Sequence, residues 1–170
     1  DQLLPEVTLY NIPLALKLTG SLNIEALEKA FNALIIRHES LRTTFPARDG
    51  EAYQFILPHL TINLTENLID LCVEGREDGG NEEEKEQGGQ HEQSLKSLAL
   101  EEAGTGFDLS RGPLIRVKLI ALSSQVHVLL VTFHHIISDG WSMGIFLREL
   151  SGFYNAYVEG KKHSLLLPSL

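Results

Sequence analysis

The chain has 170 residues, 43% hydrophobic and 22% charged, with a formal net charge of −9. That length suits one sizeable core, so a single domain or one lobe of a domain is expected. Binding a phosphate backbone needs a basic stripe, and the 14 Lys and Arg are scattered through an acidic chain, which argues against a nucleic-acid partner.

No apolar run approaches the ~20 residues that span a bilayer, and no basic segment followed by an apolar stretch opens the chain. No membrane partner is expected, and the setting expected is cytoplasmic. The single cysteine, Cys72, excludes an internal disulfide and a cysteine-based zinc site, and it reads as a buried thiol. The only methionine is Met143, so a translated chain does not begin at Asp1 and a fragment of something longer is expected.

In chain order, Ile12 to Leu18 alternates apolar and other residues and reads as a strand, with Pro13 near its start where a missing donor is tolerable. Asn23 is placed to cap a helix running to about His38, whose Leu27, Ala30, Phe31, Leu34 and Ile35 form one apolar stripe. Arg37 and Arg42 bracket the end of that helix, where cations complement the macrodipole. His38 and Glu39 carry no separate role. Asp49-Gly50 marks a turn, and Tyr53–Leu57 with Thr61–Leu64 predicts a small hairpin.

The stretch 74–92 is glutamate-rich and glycine-rich without apolar periodicity, and a solvated, mobile loop is expected there. A helix follows from Glu92 to Ala103, with Leu95, Leu98, Ala99 and Glu102 at compatible spacing. Leu114–Leu122 and Val126–Phe133 are β-rich runs joined by Ser123-Ser124-Gln125, the chemistry of an antiparallel hairpin. On the second run Val128 and Leu130 share one face, while His127, Leu129, Val131, Phe133 and His135 share the other, with His127 read as an edge or surface residue. Trp141 to Val158 reads as a helix burying Trp141, Ile145, Leu147, Leu150, Phe153, Tyr154 and Tyr157, with Ser142 placed to cap its start.

Between that strand and that helix lies Phe133-His134-His135-Ile136-Ile137-Ser138-Asp139-Gly140-Trp141-Ser142. An imidazole at a strand end can reach a cleft while the sheet fixes its backbone, and it accepts a proton near neutral pH. Adjacent strand residues point to opposite faces, so only one of His134 and His135 faces a given cleft and the other is structural. Asp139 can pair with an imidazole, cap the following helix, or hold an arginine. Divergent histidines make a poor metal set, and neither Ser138 nor Ser142 sits in a Gly-x-Ser-x-Gly elbow.

The stretch His134-His135-Ile136-Ile137-Ser138-Asp139-Gly140 resembles the HHxxxDG signature of condensation domains of nonribosomal peptide synthetases, and Trp141-Ser142 matches its usual extension. Arg37-His38-Glu39-Ser40-Leu41-Arg42-Thr43-Thr44-Phe45 resembles that family's RHExLRTxF motif. Tyr10-Asn11-Ile12-Pro13 and Phe107-Asp108-Leu109-Ser110-Arg111-Gly112-Pro113-Leu114 are family-like segments in the expected order. The resemblance spans nearly all of the chain outside 74–92.

It implies an α/β, chloramphenicol-acetyltransferase-like fold, a mixed β-sheet with packed helices. Residues 1–170 would be the N-terminal lobe, truncated at both ends and lacking the preceding SxAQxRLW-type motif. The implied reaction is amide-bond formation between a carrier-bound donor acyl or peptidyl thioester and a carrier-bound acceptor amine. By the resemblance His135 positions the attacking amine or accepts its proton, Asp139 holds the loop through an arginine of a part not present, and Gly140 lets substrate approach the backbone. His134, Arg37 and Arg42 would be structural support. The implied partners are donor and acceptor peptidyl carrier proteins, the C-terminal lobe and adjacent synthetase domains. No cofactor is bound directly, the substrates riding on phosphopantetheine arms. Related acyltransferases that make esters use the same histidine, and an isolated lobe could be a catalytically silent interaction module.

Overall fold

The computed structural model describes residues 8–72 and 82–160, with the backbone alone over 82–91. Strand β1 (Asn11–Thr19) lies antiparallel to β8 (Val126–His134), which lies antiparallel to β7 (Ile115–Ser123), and the short β6 (Ile69–Asp70) adds parallel to β7. The sheet is therefore mixed, in the order β1-β8-β7-β6. The expected hairpin forms, with β8 as the central strand.

Period-2 alternation divides the sheet into two apolar faces. Leu129, Val131 and Phe133 of β8, with Ile115 and Leu119 of β7, pack against α1 (Ile24–Arg37) and α3 (Gly140–Val158). Val128, Leu130 and Ile120 face Leu95, Leu98 and Ala99 of α2 (Glu82–Gly104). Asn23 caps α1 as expected, its side chain accepting from the Ala26 amide at 2.9 Å, and Ala30, Phe31 and Leu34 are fully buried. Each fully buried Phe or Leu side chain contributes about 1.5–3 kcal/mol over an exposed one.

Five expectations are corrected. The mobile loop expected over 74–92 gives way to helix from Glu82, ten residues before the expected start, while 74–81 lie outside the described residues. Glu, Lys and Gln are good helix formers and glutamates suit a first turn, so the composition favours helix there even without apolar periodicity. Glycines 88 and 89 lower that end's stability by only about 1 kcal/mol each.

The Tyr53–Leu57 and Thr61–Leu64 hairpin does not form. Instead β5 (Phe55–Ile56) pairs with β2 (Thr43–Thr44), and β3 (Ala47–Arg48) pairs with β4 (Glu51–Ala52) around Asp49-Gly50. The second expected strand is tied to α1: the Asn32 side chain accepts from Ile62 N at 2.9 Å and donates to Ile62 O at 3.0 Å. A side-chain amide on the helix thus satisfies the backbone groups that a ladder would have used, and Leu64 buries beside it.

His127 is buried, because a central strand has no edge to expose it. Cys72 is exposed, lying two residues past the end of β6 with its amide donating to Asp70 Oδ1 at 2.8 Å. Trp141 is 83% exposed, since it lies off the side of α3 that carries Met143 and Phe146 into the core. No helix among the described residues is long and apolar enough to cross a membrane.

Candidate active site

The candidate site is the turn from β8 into α3, and its rigidity can be counted amide by amide. His134 N donates to Leu114 O at 2.9 Å and His135 N to Tyr10 O at 2.8 Å. Ile136 N donates to the His134 ring at Nδ1, 3.1 Å away. Ile137 N and Ser138 N donate back to the carbonyls of His134 and His135, at 3.1 and 3.4 Å. Five consecutive amides are thus occupied, and the loop has little freedom left.

Both histidines line one cleft, against the expectation that only one would face it, and they differ in burial because β8 ends at His134 and His135 lies in the turn. His134 is 4% exposed, its ring packed at 5.9 Å from Tyr10 and edge-on at 6.0 Å to Phe107. A ring nitrogen that accepts from an amide carries no proton, so the neutral His134 holds its proton on Nε2. Burial, with the neighbouring His135, pushes its pKa below the ordinary histidine value and keeps it in that neutral form. His135 is exposed and borders an open cleft of about 400 Å³, shared with Tyr10, Leu109, His134 and Ile136.

Among the described residues Asp139 acts as the N-cap of α3. Its Oδ1 accepts from Ser142 N at 2.8 Å and from Ser142 Oγ at 2.6 Å. Ser142 is therefore the donor to the cap rather than the cap itself. The hydroxyl bond, then the amide bond, holds the Asp139 carboxyl below the usual aspartate range. A depressed folded-state value means the cap is intact above the unfolded pKa and is lost as pH falls through the folded one. Asp139→Ala is expected to fray the first turn at every pH, and wild type to fray only in acid. Hydrogen exchange at Ser142 and Met143 across an acid titration reads both.

Gly140 opens α3, and a Cβ there would meet nothing within 4 Å, so internal packing does not demand glycine. Arg37 pairs with Glu149 of α3 through Nε at 3.1 Å, and His38, given no role by the sequence, joins the same carboxylate through Nε2 at 2.7 Å. Arg42 pins the chain after β5, donating to Leu57 O at 2.7 Å, and pairs with Glu39 at 3.1 Å. Neither arginine lines the cleft.

Leu109 reaches the cleft through the Phe107–Pro113 segment, held to the chain leaving β2 by Phe45 N donating to Leu109 O at 2.7 Å. Gly112 needs its positive φ of 63° and its missing side chain, since a Cβ would sit 2.7 Å from Thr44 Cγ2.

The family model for condensation domains matches residues 1–168. The chain belongs to the condensation domain family. A linear gramicidin synthase of Brevibacillus parabrevis is 46% identical over 161 residues, 95% of this chain and 2% of that protein. Malpibaldin synthetase of Mortierella alpina is 41% identical over 157 residues, 92% of this chain and 3% of that protein. Among solved structures, the X-domain from teicoplanin biosynthesis in its complex with OxyB superposes with a TM-score of 0.77 at 32% identity, covering 95% of this chain and 31% of that one. The starter condensation domain of rhizomide synthetase gives 0.75 at 20% identity over 97% of this chain and 36% of that one, a likeness of fold alone.

The condensation-domain chain therefore spans 2–3% of those synthetases and 31–36% of those structures. Its α/β architecture, a mixed sheet with packed helices, is the expected chloramphenicol-acetyltransferase-like lobe. In this condensation-domain lobe sequence reasoning missed Tyr10, Leu109 and Ile136 as cleft residues. Tyr10 and Leu109 lay inside quoted motifs, but only the fold brings those motifs against His135.

Proposed function

We propose that the chain works as the N-terminal lobe of a condensation domain, joining a carrier-bound acyl or peptidyl thioester to a carrier-bound amine. The observation that carries the reading is the exposed His135 imidazole at the edge of an open cleft, on a backbone whose amides from His134 to Ser138 are engaged. A reacting group presented in one orientation on a rigid support is what positioning catalysis requires.

In the reaction the amine nitrogen attacks the thioester carbonyl, forming the C–N bond. The C–S bond then breaks, the thiol leaves on its phosphopantetheine arm, and one amine proton passes to the departing sulfur. His135 orients the amine and takes that proton at the tetrahedral stage. Asp139 keeps the loop in register through its cap and through an arginine of the C-terminal lobe. Gly140 leaves room for substrate beside the backbone. The chain itself needs no bound cofactor. Donor and acceptor carrier proteins, the C-terminal lobe and neighbouring synthetase domains are its partners.

A second reading is an interaction module. The teicoplanin X-domain, 32% identical to this chain, is found in complex with OxyB. A single-turnover assay on the complete domain separates the readings. A thioester-loaded donor carrier is offered an acceptor carrier bearing an amine, or one bearing the matched hydroxy acid. Amide product from the amine, with little ester from the hydroxy acid, supports condensation. Ester as the main product selects the O-acyltransferase reading, and no product from either selects the interaction module.

A further inference from the structure

A line of contacts leads from the end of α2 to the loop. Glu102, on the last turn of α2, is buried at 3% exposure and meets Arg116 Nε at 2.5 Å and Lys118 Nζ at 3.0 Å. Burial alone would raise the Glu102 carboxyl, but hydrogen bonds and charge from Arg116 and Lys118 outweigh it and hold it below the usual range. Arg116 also donates to the carbonyls of Glu102 at 3.0 Å, Thr105 at 2.7 Å and Gly106 at 3.0 Å. The Glu102 carbonyl is among those a helix end leaves unsatisfied, and a cation there also meets the negative end of the helix dipole.

Held by those acceptors, the guanidinium lies over the Phe107 ring, 3.8 Å from its centroid. Phe107 then presents an edge-on contact to His134, at 6.0 Å and 87°. His134 accepts the Ile136 amide through Nδ1. The orientation of the His134 ring decides whether that bond exists, and the bond sets the residue next to His135.

We propose that Arg116 is a positioning residue for the His135 loop, acting through Phe107 and His134 and anchored by Glu102. The inference rests on His135 being the reacting group for its kinetic consequence, while its structural consequence can be read without turnover. Lysine at 116 keeps a charge for Glu102 but loses the flat face and the fork of donors, so it isolates the stacking role.

The experiment uses the full chain for spectroscopy and the complete domain for kinetics, with Arg116→Lys, Phe107→Leu, the double variant and a core control, Ile35→Val, on the opposite face of the sheet. Expected for Arg116→Lys is a faster amide exchange at Ile136, by about tenfold, with the middle of α1 unchanged. A shift of the His134 Nδ1 nitrogen resonance away from its unprotonated acceptor position accompanies it. In the condensation assay kcat falls about tenfold with KM for both loaded carriers held within about twofold. Phe107→Leu gives the same signature, and the double variant is no worse than either single one, as one line of contacts demands. Ile35→Val leaves Ile136 exchange alone.

Unchanged Ile136 exchange and His134 resonance in both single variants would overturn the proposal, and so would exchange that rises equally through α1. If wild type makes no amide yet Ile136 still responds to Arg116→Lys, the condensation reading fails and the positioning role stands.

Discussion

His135→Ala is expected to slow amide formation by about 10²–10⁴-fold, the range for removing a general acid–base or positioning group, while the fold survives. The side chain is exposed, and the bonds it leaves behind are backbone bonds: His135 N to Tyr10 O and Ser138 N to His135 O. Alanine keeps both. Circular dichroism and the urea midpoint should therefore match wild type, and the loss should fall on the chemical step in a single-turnover assay with saturating loaded carriers. The neighbouring change, His134→Ala, should behave differently. It removes a buried ring between Tyr10 and Phe107 together with the acceptor for Ile136 N, so stability and rate fall together. A His135→Ala enzyme within about threefold of wild type, with loading verified, would remove His135 from the chemistry, because transition-state contacts rarely contribute so little.

The contrast between those histidines shows what the sequence made legible. Helix-spaced apolar residues placed α1 and most of the core stripe of α3, and alternation placed the faces of β8, though the strand stops at His134 and so His135 shares its cleft. Those are local signals, readable because one face of each element is buried. The partner choices were not readable in that way. Asp139 had three chemically reasonable partners, and the choice fell to Ser142 because both lie in the first turn of one helix. Thr61–Leu64 had strand composition, yet Asn32, thirty residues from Ile62, took the Ile62 backbone bonds. His127 had the look of an edge residue until β1 covered the other side of β8. Cys72 was read by average residue preference and Trp141 by helical spacing; Cys72 lies past the end of β6, and Trp141 lies off the buried side of α3. Arg116 and Glu102 escaped because a cation on a strand and a carboxylate on a helix fourteen residues earlier carry no shared pattern.

Glu149→Ala is expected to destabilise the fold by about 3 kcal/mol, the lower end of the range for stripping one partner from a largely buried ion pair. Its carboxylate, on side chains 15% exposed for Glu149, 19% for Arg37 and 33% for His38, takes Arg37 at 3.1 Å and His38 at 2.7 Å on the same oxygen. Removing it leaves the Arg37 guanidinium without that carboxylate at the α1–α3 contact. Typical domains hold about 5–15 kcal/mol in all, so the urea midpoint should move visibly with an unchanged m-value. The site of the damage matters as well as its size. His38 and Ser40 share a cavity of about 120 Å³ with Ile137, Ser138, Ser142 and Phe146, directly behind the loop, so unfilled space lies beside the first turns of α3. Early exchange in Glu149→Ala should therefore begin at Ser138 to Met143 before it reaches the middle of the helix. Replacing the pair by apolar groups of similar size, Arg37→Met with Glu149→Leu, should recover most of the loss, because well-packed apolar groups replace a desolvated ion pair at little net cost. A Glu149→Ala shift below about 1 kcal/mol would class the contact with exposed surface pairs and leave the position of α3 to its apolar face alone.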